Sequence, residues 1–241
     1  MENYPKVLIG GPISDHHEYC FDSFIKSLNS LTYPNFDMFF VDNSKDDAFF
    51  NKIKDIIPAI RIPYHPDVRV RLSDSRNLAR KKVLDEDYDY LFCLDQDVVP
   101  PNDTIERMIE SKKKIVTGVY FNTFSRIRPD TMVVETRKLP ILWVKSLKNP
   151  DKAVPVRQEI IDSKKLIKVD MCGTGCILIH RDILKEIKFR YEKDQEGVDD
   201  VFFCRDAQKL GLEIWADTGI ICGHNVEKRP WNWGEGDMKT V

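Results

Sequence analysis

No apolar stretch in this chain of 241 residues approaches the ~18 to 20 residues that a helix needs to cross a bilayer. The amino terminus runs from Met1 to Pro5 straight into a strand-like segment, without the order of a secretory signal, so no leader is expected. An excess of one charge is also missing. The 37 Lys and Arg residues stand against 39 Asp and Glu, a formal net charge of -2. A nucleic-acid binder would show a basic excess or a basic face, so no nucleic-acid partner is expected. The local runs Lys112-Lys113-Lys114 and Lys164-Lys165 suit solvated helix ends or turns. Of the six cysteines only Cys172 and Cys176 are close together, and no second pair or spaced histidine accompanies them. That argues against a structural zinc site. Cys93 and Cys222 sit inside apolar runs, where the residue behaves as a small hydrophobe. The pattern fits a reducing, cytoplasmic compartment. With no repeat, low-complexity tract or linker, the expectation is one domain over 1-241 that can bury a sizeable core.

What is there alternates. Lys6 to Ile13 reads as a buried strand turning at Gly10-Gly11-Pro12, and His17 to Leu31 as an amphipathic helix. Phe36 to Val41 is a second strand, stopped by Asp42-Asn43-Ser44. Helices are predicted over Asp46 to Ile57 and, capped by Ser or Asp, over Ser73 to Leu84. Strand Tyr88 to Leu94, helix Asn102 to Ser111 and strand Ile115 to Tyr120 follow. Continuously apolar strands alternating with helices imply a mostly parallel sheet covered on both faces. Ligands of such sheets bind outside the carboxyl ends of the strands, so Pro12-Ile13-Ser14, Asp42-Asn43-Ser44 and Asp95-Gln96-Asp97 should share one rim. The second half is less regular. Thr131 to Arg137 and Leu139 to Ser146 read as strands of a mixed ribbon, and Asn149 to Lys165 as a surface loop. Val169 to His180 is a strand broken at Gly173-Thr174-Gly175; a helix over Arg181 to Ile187, another over Asp199 to Leu210 and a strand over Glu213 to Ile221 follow.

Asp95 and Asp97 end a buried strand one residue apart, so they face the same way if the strand geometry persists. Adjacent anions favour a cation, and hard oxygen ligands beside a diphosphate suit Mg2+ or Mn2+. A capped turn before Pro100-Pro101 accounts for the same residues without a metal. Asp199-Asp200 opens a predicted helix, where capping and the helix dipole favour an ionised carboxylate.

Ser75-Arg76-Asn77-Leu78-Ala79-Arg80, then Tyr88 to Pro100 with Asp95-Gln96-Asp97, resembles the nucleotide-sugar-binding half of glycosyltransferase family 2 and its GT-A relatives. The resemblance spans roughly residues 5 to 225. It implies a GT-A fold, Rossmann-like, with a mostly parallel central sheet, helices on both faces and a smaller mixed-strand acceptor half. On it, 1-120 form the donor half and 121-241 the acceptor and catalytic half. Pro12, Ile13, Ser14 and Asp42 would contact base and ribose, with Arg76 and Gln96 also on the donor side. Asp95 would touch ribose or the metal shell, Asp97 would bind Mn2+ or Mg2+ directly, and His224 would be the third ligand. Asp200 would be the base, with Asp199 in reserve; the family usually has Glu-Asp, so the match there is incomplete. Gly173, Thr174 and Gly175 would face the sugar. Independently of the resemblance, Trp231 and Trp233 beside Lys228-Arg229 offer aromatic faces for a sugar ring, with core packing as the alternative.

The implied activity is a hexosyltransferase-type glycosyltransferase, moving a sugar from a UDP- or GDP-linked donor to a carbohydrate or other hydroxyl acceptor with inversion. A retaining enzyme of the same fold is one alternative. A nucleotidyltransferase is another, but it wants a Gly-rich, cationic loop after the first strand, and Gly10-Gly11-Pro12-Ile13-Ser14-Asp15 offers neither. A non-catalytic nucleotide-sugar- or carbohydrate-binding module is the third.

Overall fold

The computed structural model describes residues 4–127, 134–149 and 152–228. Strands β1 (Val7–Ile13), β2 (Phe36–Asp42), β3 (Ala59–Arg61), β4 (Tyr90–Leu94), β5 (Val98–Val99) and β6 (Ile115–Val119) alternate with helices α1 (Phe21–Ser30), α2 (Ala48–Ile53), α3 (Val68–Asp85) and α4 (Thr104–Glu110). Strands β7 (Phe121–Ile127), β8 (Val134–Pro140), β9 (Leu142–Lys145) and β10 (Ala153–Pro155) lead to α5 (Gln158–Asp162). Then come β11 (Leu166–Val169), β12 (Met171–Cys172), β13 (Cys176–His180), α6 (Arg181–Glu186), α7 (Asp199–Lys209), β14 (Ile214–Ile221) and β15 (Gly223–His224).

Eight strands form the central sheet in the order β11-β14-β6-β13-β4-β1-β2-β3. β1 runs parallel to β2 and β4, β2 to β3, and β14 to β6. β13 is antiparallel to both its neighbours, β4 and β6. The edge strand β11 is antiparallel to β14. The sheet is therefore mostly parallel, as the alternation of apolar strands and helices implies, with one reversed strand in its middle and one at its edge. β7 and β8 pair separately, and β9 pairs with β10 and β12.

Side chains on β4 alternate between two apolar layers, as the two-residue period of a strand requires. Leu91 and Cys93 pack with Ala79 and Val83 of α3, Leu184 of α6 and Phe203 of α7. Phe92 and Leu94 pack with Phe24 and Leu28 of α1 and with Ile105 and Met108 of α4. Burying such side chains contributes roughly 1.5–3 kcal/mol each.

Several sequence-based boundaries shift for identifiable reasons. Gly10 and Gly11 are not a turn: β1 continues to Ile13, and side chains there would press on the carbonyl oxygens of Phe39 and Leu94. Asp15–Cys20 is a 3-10 segment ahead of α1. Helix α3 starts at Val68 rather than Ser73, capped by Asp67, whose Oδ1 accepts from Arg69 N at 2.9 Å. Its face toward the sheet carries Arg71, Ser73, Ser75 and Arg76, all buried, so an apolar period is absent where the helix begins. The segment read as a loop over 149–165 contains β10 and α5.

Candidate functional site

At the end of β4 the alternation persists for two more residues and then breaks. Asp95 leaves toward the α3 and α7 layer, where Arg76 Nη2 donates to its Oδ1 at 2.6 Å. Gln96 leaves toward the opposite layer. Its Oε1 accepts from Ser14 N at 2.9 Å, and its Nε2 donates to His17 O at 3.0 Å. A turn closed by Val98 N on Asp95 O, 3.0 Å, then redirects Asp97. Asp95 and Asp97 consequently keep separate company, because strand geometry does not persist through the motif.

Asp97 meets two imidazoles. β5 follows it directly and pairs with β15 in a register that sets Val98 opposite His224. Asn225 N also donates to Asp97 O at 2.8 Å. His224 Nε2 lies 3.3 Å and His17 Nε2 3.5 Å from Asp97 Oδ2. His224 Nδ1 stands 2.8 Å from the Phe121 carbonyl, which can only accept, so Nδ1 carries a proton. With Nδ1 bonded to that carbonyl, Nε2 faces the carboxylate, the orientation of a metal-binding histidine held by its other nitrogen. Cis ligands at ~2.1 Å from an octahedral ion stand ~3.0 Å apart, close to the spacing of Nε2 and Oδ2. Among the described residues no three His, Cys, Asp or Glu side chains form a complete cage. Two protein ligands, with phosphate oxygens and water for the rest, are what Mg2+-type sites commonly use. The residues fit such an ion, with Asp97 and His224 as ligands and Asp95 outside the pair. His17 was not anticipated, although its place just after the β1 rim could have flagged it.

The second centre is acidic. Arg76 Nη1 donates to Asp199 Oδ2 at 2.8 Å, so one guanidinium joins the end of β4 to the start of α7. Asp199 is 1% exposed, and its carboxyl is raised above the usual range by burial, against the pull of Arg76. Asp200 is half-buried, with Oδ1 accepting from Val201 N at 2.6 Å. Burial first and the Asp199 charge second push Asp200 up to about 7. The helix start does not hold it low, as the dipole argument suggests; lost hydration outweighs it. Gly197, with φ +112°, sets the entry to α7, and a Cβ there would also press on Val201. Gly197→Ala should therefore displace Asp200 and lower kcat by about tenfold or more while leaving donor affinity unchanged. Steady-state kinetics beside donor titration calorimetry checks this, and an unchanged kcat refutes it.

The other sequence-predicted residues fall around these centres. Pro12, Ile13 and Ser14 line the β1 end, and Asp15 N donates to Ser44 Oγ at 2.9 Å, joining it to the β2 end. Asp42 is fully buried, with Oδ1 accepting from Ser44 N at 3.1 Å and Ser44 Oγ at 2.5 Å. Its Oδ2 has no hydrogen-bond partner among the described residues. Gln96 and Arg76 are committed to protein groups on this rim. Gly173 and Gly175 owe their small size to protein contacts, since side chains there would overlap the Tyr120 hydroxyl, and at Gly175 also Asp95. The Tyr120 hydroxyl accepts from Gly175 N at 3.1 Å, and its ring meets His224 edge-on at 5.2 Å. Tyr120, next to the last residue of β6, is a second residue the sequence did not single out. Thr174 is buried beside it. Trp231 and Trp233 lie outside the described residues. A groove of about 740 Å³ along Tyr64, His65, Asp74 and Lys188 includes none of the predicted site residues.

Residues 18–188, more than two-thirds of the chain, match the family model described as Glycosyl transferase family 2. The chain belongs to glycosyl transferase family 2. No curated protein matches this glycosyltransferase in sequence. Among solved structures, GalNAc-T7 with UDP, GalNAc and Mn2+ superposes with a TM-score of 0.63 at 11% identity, over 93% of this chain and 44% of that one. The glycosyltransferase thus spans less than half the length of that neighbour, and the likeness shows a shared GT-A fold. A197 from STIV matches at 18% identity over 91% of this chain and 85% of that one, with a TM-score of 0.47. No helix among the described residues is long and apolar enough to cross a membrane.

Proposed function

We propose that this glycosyltransferase moves a hexose from a UDP- or GDP-linked donor to a hydroxyl acceptor with inversion, using Asp200 as base. The observation that carries the reading is the Asp200 carboxyl, half-buried at the start of α7, where the Arg76 bridge ties its neighbour Asp199 to Asp95 at the end of β4. A base tuned close to ambient pH combines a useful deprotonated fraction with enough basicity, and is worth ~10²- to 10⁴-fold. Ionised Asp200 takes the proton of the acceptor hydroxyl. The acceptor oxygen forms its bond to the anomeric carbon from the face opposite the diphosphate. The bond to the diphosphate oxygen breaks, and the nucleoside diphosphate leaves with that electron pair. Attack from the opposite face gives inversion.

Asp97 and His224 would hold Mn2+ or Mg2+, which supplies charge neutralisation for the departing diphosphate. Asp42 suits the base or ribose, because its Oδ2 is a buried acceptor whose charged neighbour, Arg61 Nε, lies 3.8 Å away, beyond hydrogen-bond distance. GalNAc-T7, whose structure holds UDP and Mn2+, supports this arrangement by analogy of fold. Measuring transfer across UDP- and GDP-sugars with Mn2+ and Mg2+, and reading the product's anomeric configuration by NMR, tests the proposal. A retained configuration removes Asp200 as the single base.

The pH dependence has a definite sign. The base must be deprotonated, so kcat/KM should rise with pH and level off above about 7. A flat profile between about pH 5.5 and about pH 8 contradicts the assignment.

A further inference from the structure

We propose that Arg76 is a positioning residue for the transfer step, a buried strut that fixes the start of α7, and with it Asp200, relative to the donor-side carboxylate Asp95. The inference rests on the reading of Asp200 as base. It departs from the sequence-based expectation that Arg76 meets the nucleotide.

The geometry leaves the guanidinium little else to do. Arg76 is 2% exposed, and its two terminal nitrogens go to different acids, Asp95 at 2.6 Å and Asp199 at 2.8 Å. These acids come from β4 and α7, elements that meet only through tertiary structure. The start of α7 has no side-chain cap: its N-cap is Val198, and Asp199 turns to Arg76 instead. The bridge is poorly suited to a purely stabilising role. Arg76 Nε and Asp199 Oδ1 are buried without hydrogen-bond partners among the described residues, and one cation faces three carboxylates, Asp95, Asp199 and Asp200. Buried pairs of this kind often contribute nothing net to stability. What the bridge does achieve is direction, since a planar fork with both ends occupied fixes two backbones against each other.

The groups facing Asp200 act with opposite signs. Asp199 and Asp95 push its titration up, and Arg76 pulls it down. Tyr120 and Cys172, from the neighbouring strands, also feel its charge.

The test combines Arg76→Lys, Arg76→Gln, Asp199→Asn and Asp200→Asn in the full chain. Arg76→Lys keeps the charge and loses the fork, so donor KM should stay within about threefold while kcat falls about tenfold or more. The acid limb of the kcat profile should move to higher pH in Arg76→Gln and to lower pH in Asp199→Asn. The opposed shifts show that both charges act on Asp200, and the fall in kcat at unchanged donor KM in Arg76→Lys reads the positioning role. Arg76→Lys and Asp199→Asn decide the matter if Arg76→Gln does not fold. A donor KM raised about tenfold in Arg76→Lys, with the limb unmoved in Asp199→Asn, overturns the proposal and makes Arg76 a nucleotide contact. Full transfer by Asp200→Asn removes the base reading itself, which is a separate failure.

Discussion

Asp200→Asn is expected to bind donor within a few-fold of the parent and to transfer sugar ~10²-fold more slowly or worse. The substitution is nearly isosteric, and the amide oxygen can still accept from Val201 N, so the start of α7 should survive. Asp199→Asn should do less to the rate at its pH optimum, since Asp199 is fully buried against Arg76 and faces no acceptor. A second consequence follows from linkage. Asp200 titrates higher folded than unfolded, so between the two values the unfolded chain releases a proton that the folded chain keeps. Stability is lost as pH rises through that window, and above it folding carries the full cost of a half-buried charge. The Asn variant has no such charge and should melt higher than the parent above about pH 7 while being almost inactive. Thermal melts at acidic and alkaline pH read this directly. Full activity, or an unchanged melting difference across the range, counts against the assignment.

Asp97→Ala is expected to abolish metal-promoted donor binding and leave the fold in place. The backbone bond from Asn225 N to Asp97 O and the pairing of β5 with β15 do not depend on the side chain. Without the carboxylate the site loses the anionic ligand Asp97 and keeps the His224 imidazole, so affinity for a hard cation should collapse. Calorimetry of donor binding with and without metal measures the effect. Mn2+ should serve at least as well as Mg2+, because an imidazole suits the softer ion. Equal donor affinity with and without metal in the parent protein sinks the metal site.

The architecture was largely legible because strand and helix periods are local properties. Continuous apolar runs such as Leu91 to Leu94 announced a strand buried on both faces, and the rim followed from the ends of such strands. The direction of β13 was not legible, since its apolar pattern is the same in either direction. Nor was the start of α3, whose buried face is polar because it serves the site rather than the core. The motif residues were recognised, but their division of labour was not. A single turn after Leu94 decides that Asp95 faces Arg76 and Asp97 faces the histidines. His17 reaches Asp97 through a backbone grip by Gln96, a contact between residues 79 positions apart that no local pattern encodes. The high titration of Asp200 likewise depends on what α7 packs against.

The reversed strand β13 has a consequence for how the chain can fold. In the finished sheet it separates β4 from β6, although β4 and β6 are closer in sequence to each other than either is to β13. A chain emerging from the ribosome therefore completes β1 to β6 about sixty residues before the strand that must lie between β4 and β6. Until then both β4 and β6 present unpaired edges with apolar side chains on either face, the kind of surface on which strands pair wrongly. A fragment ending near Tyr120 has no filler for that gap. The segments before and after Tyr120 are accordingly interleaved in one sheet, and the cooperative unit of folding is the sheet as a whole.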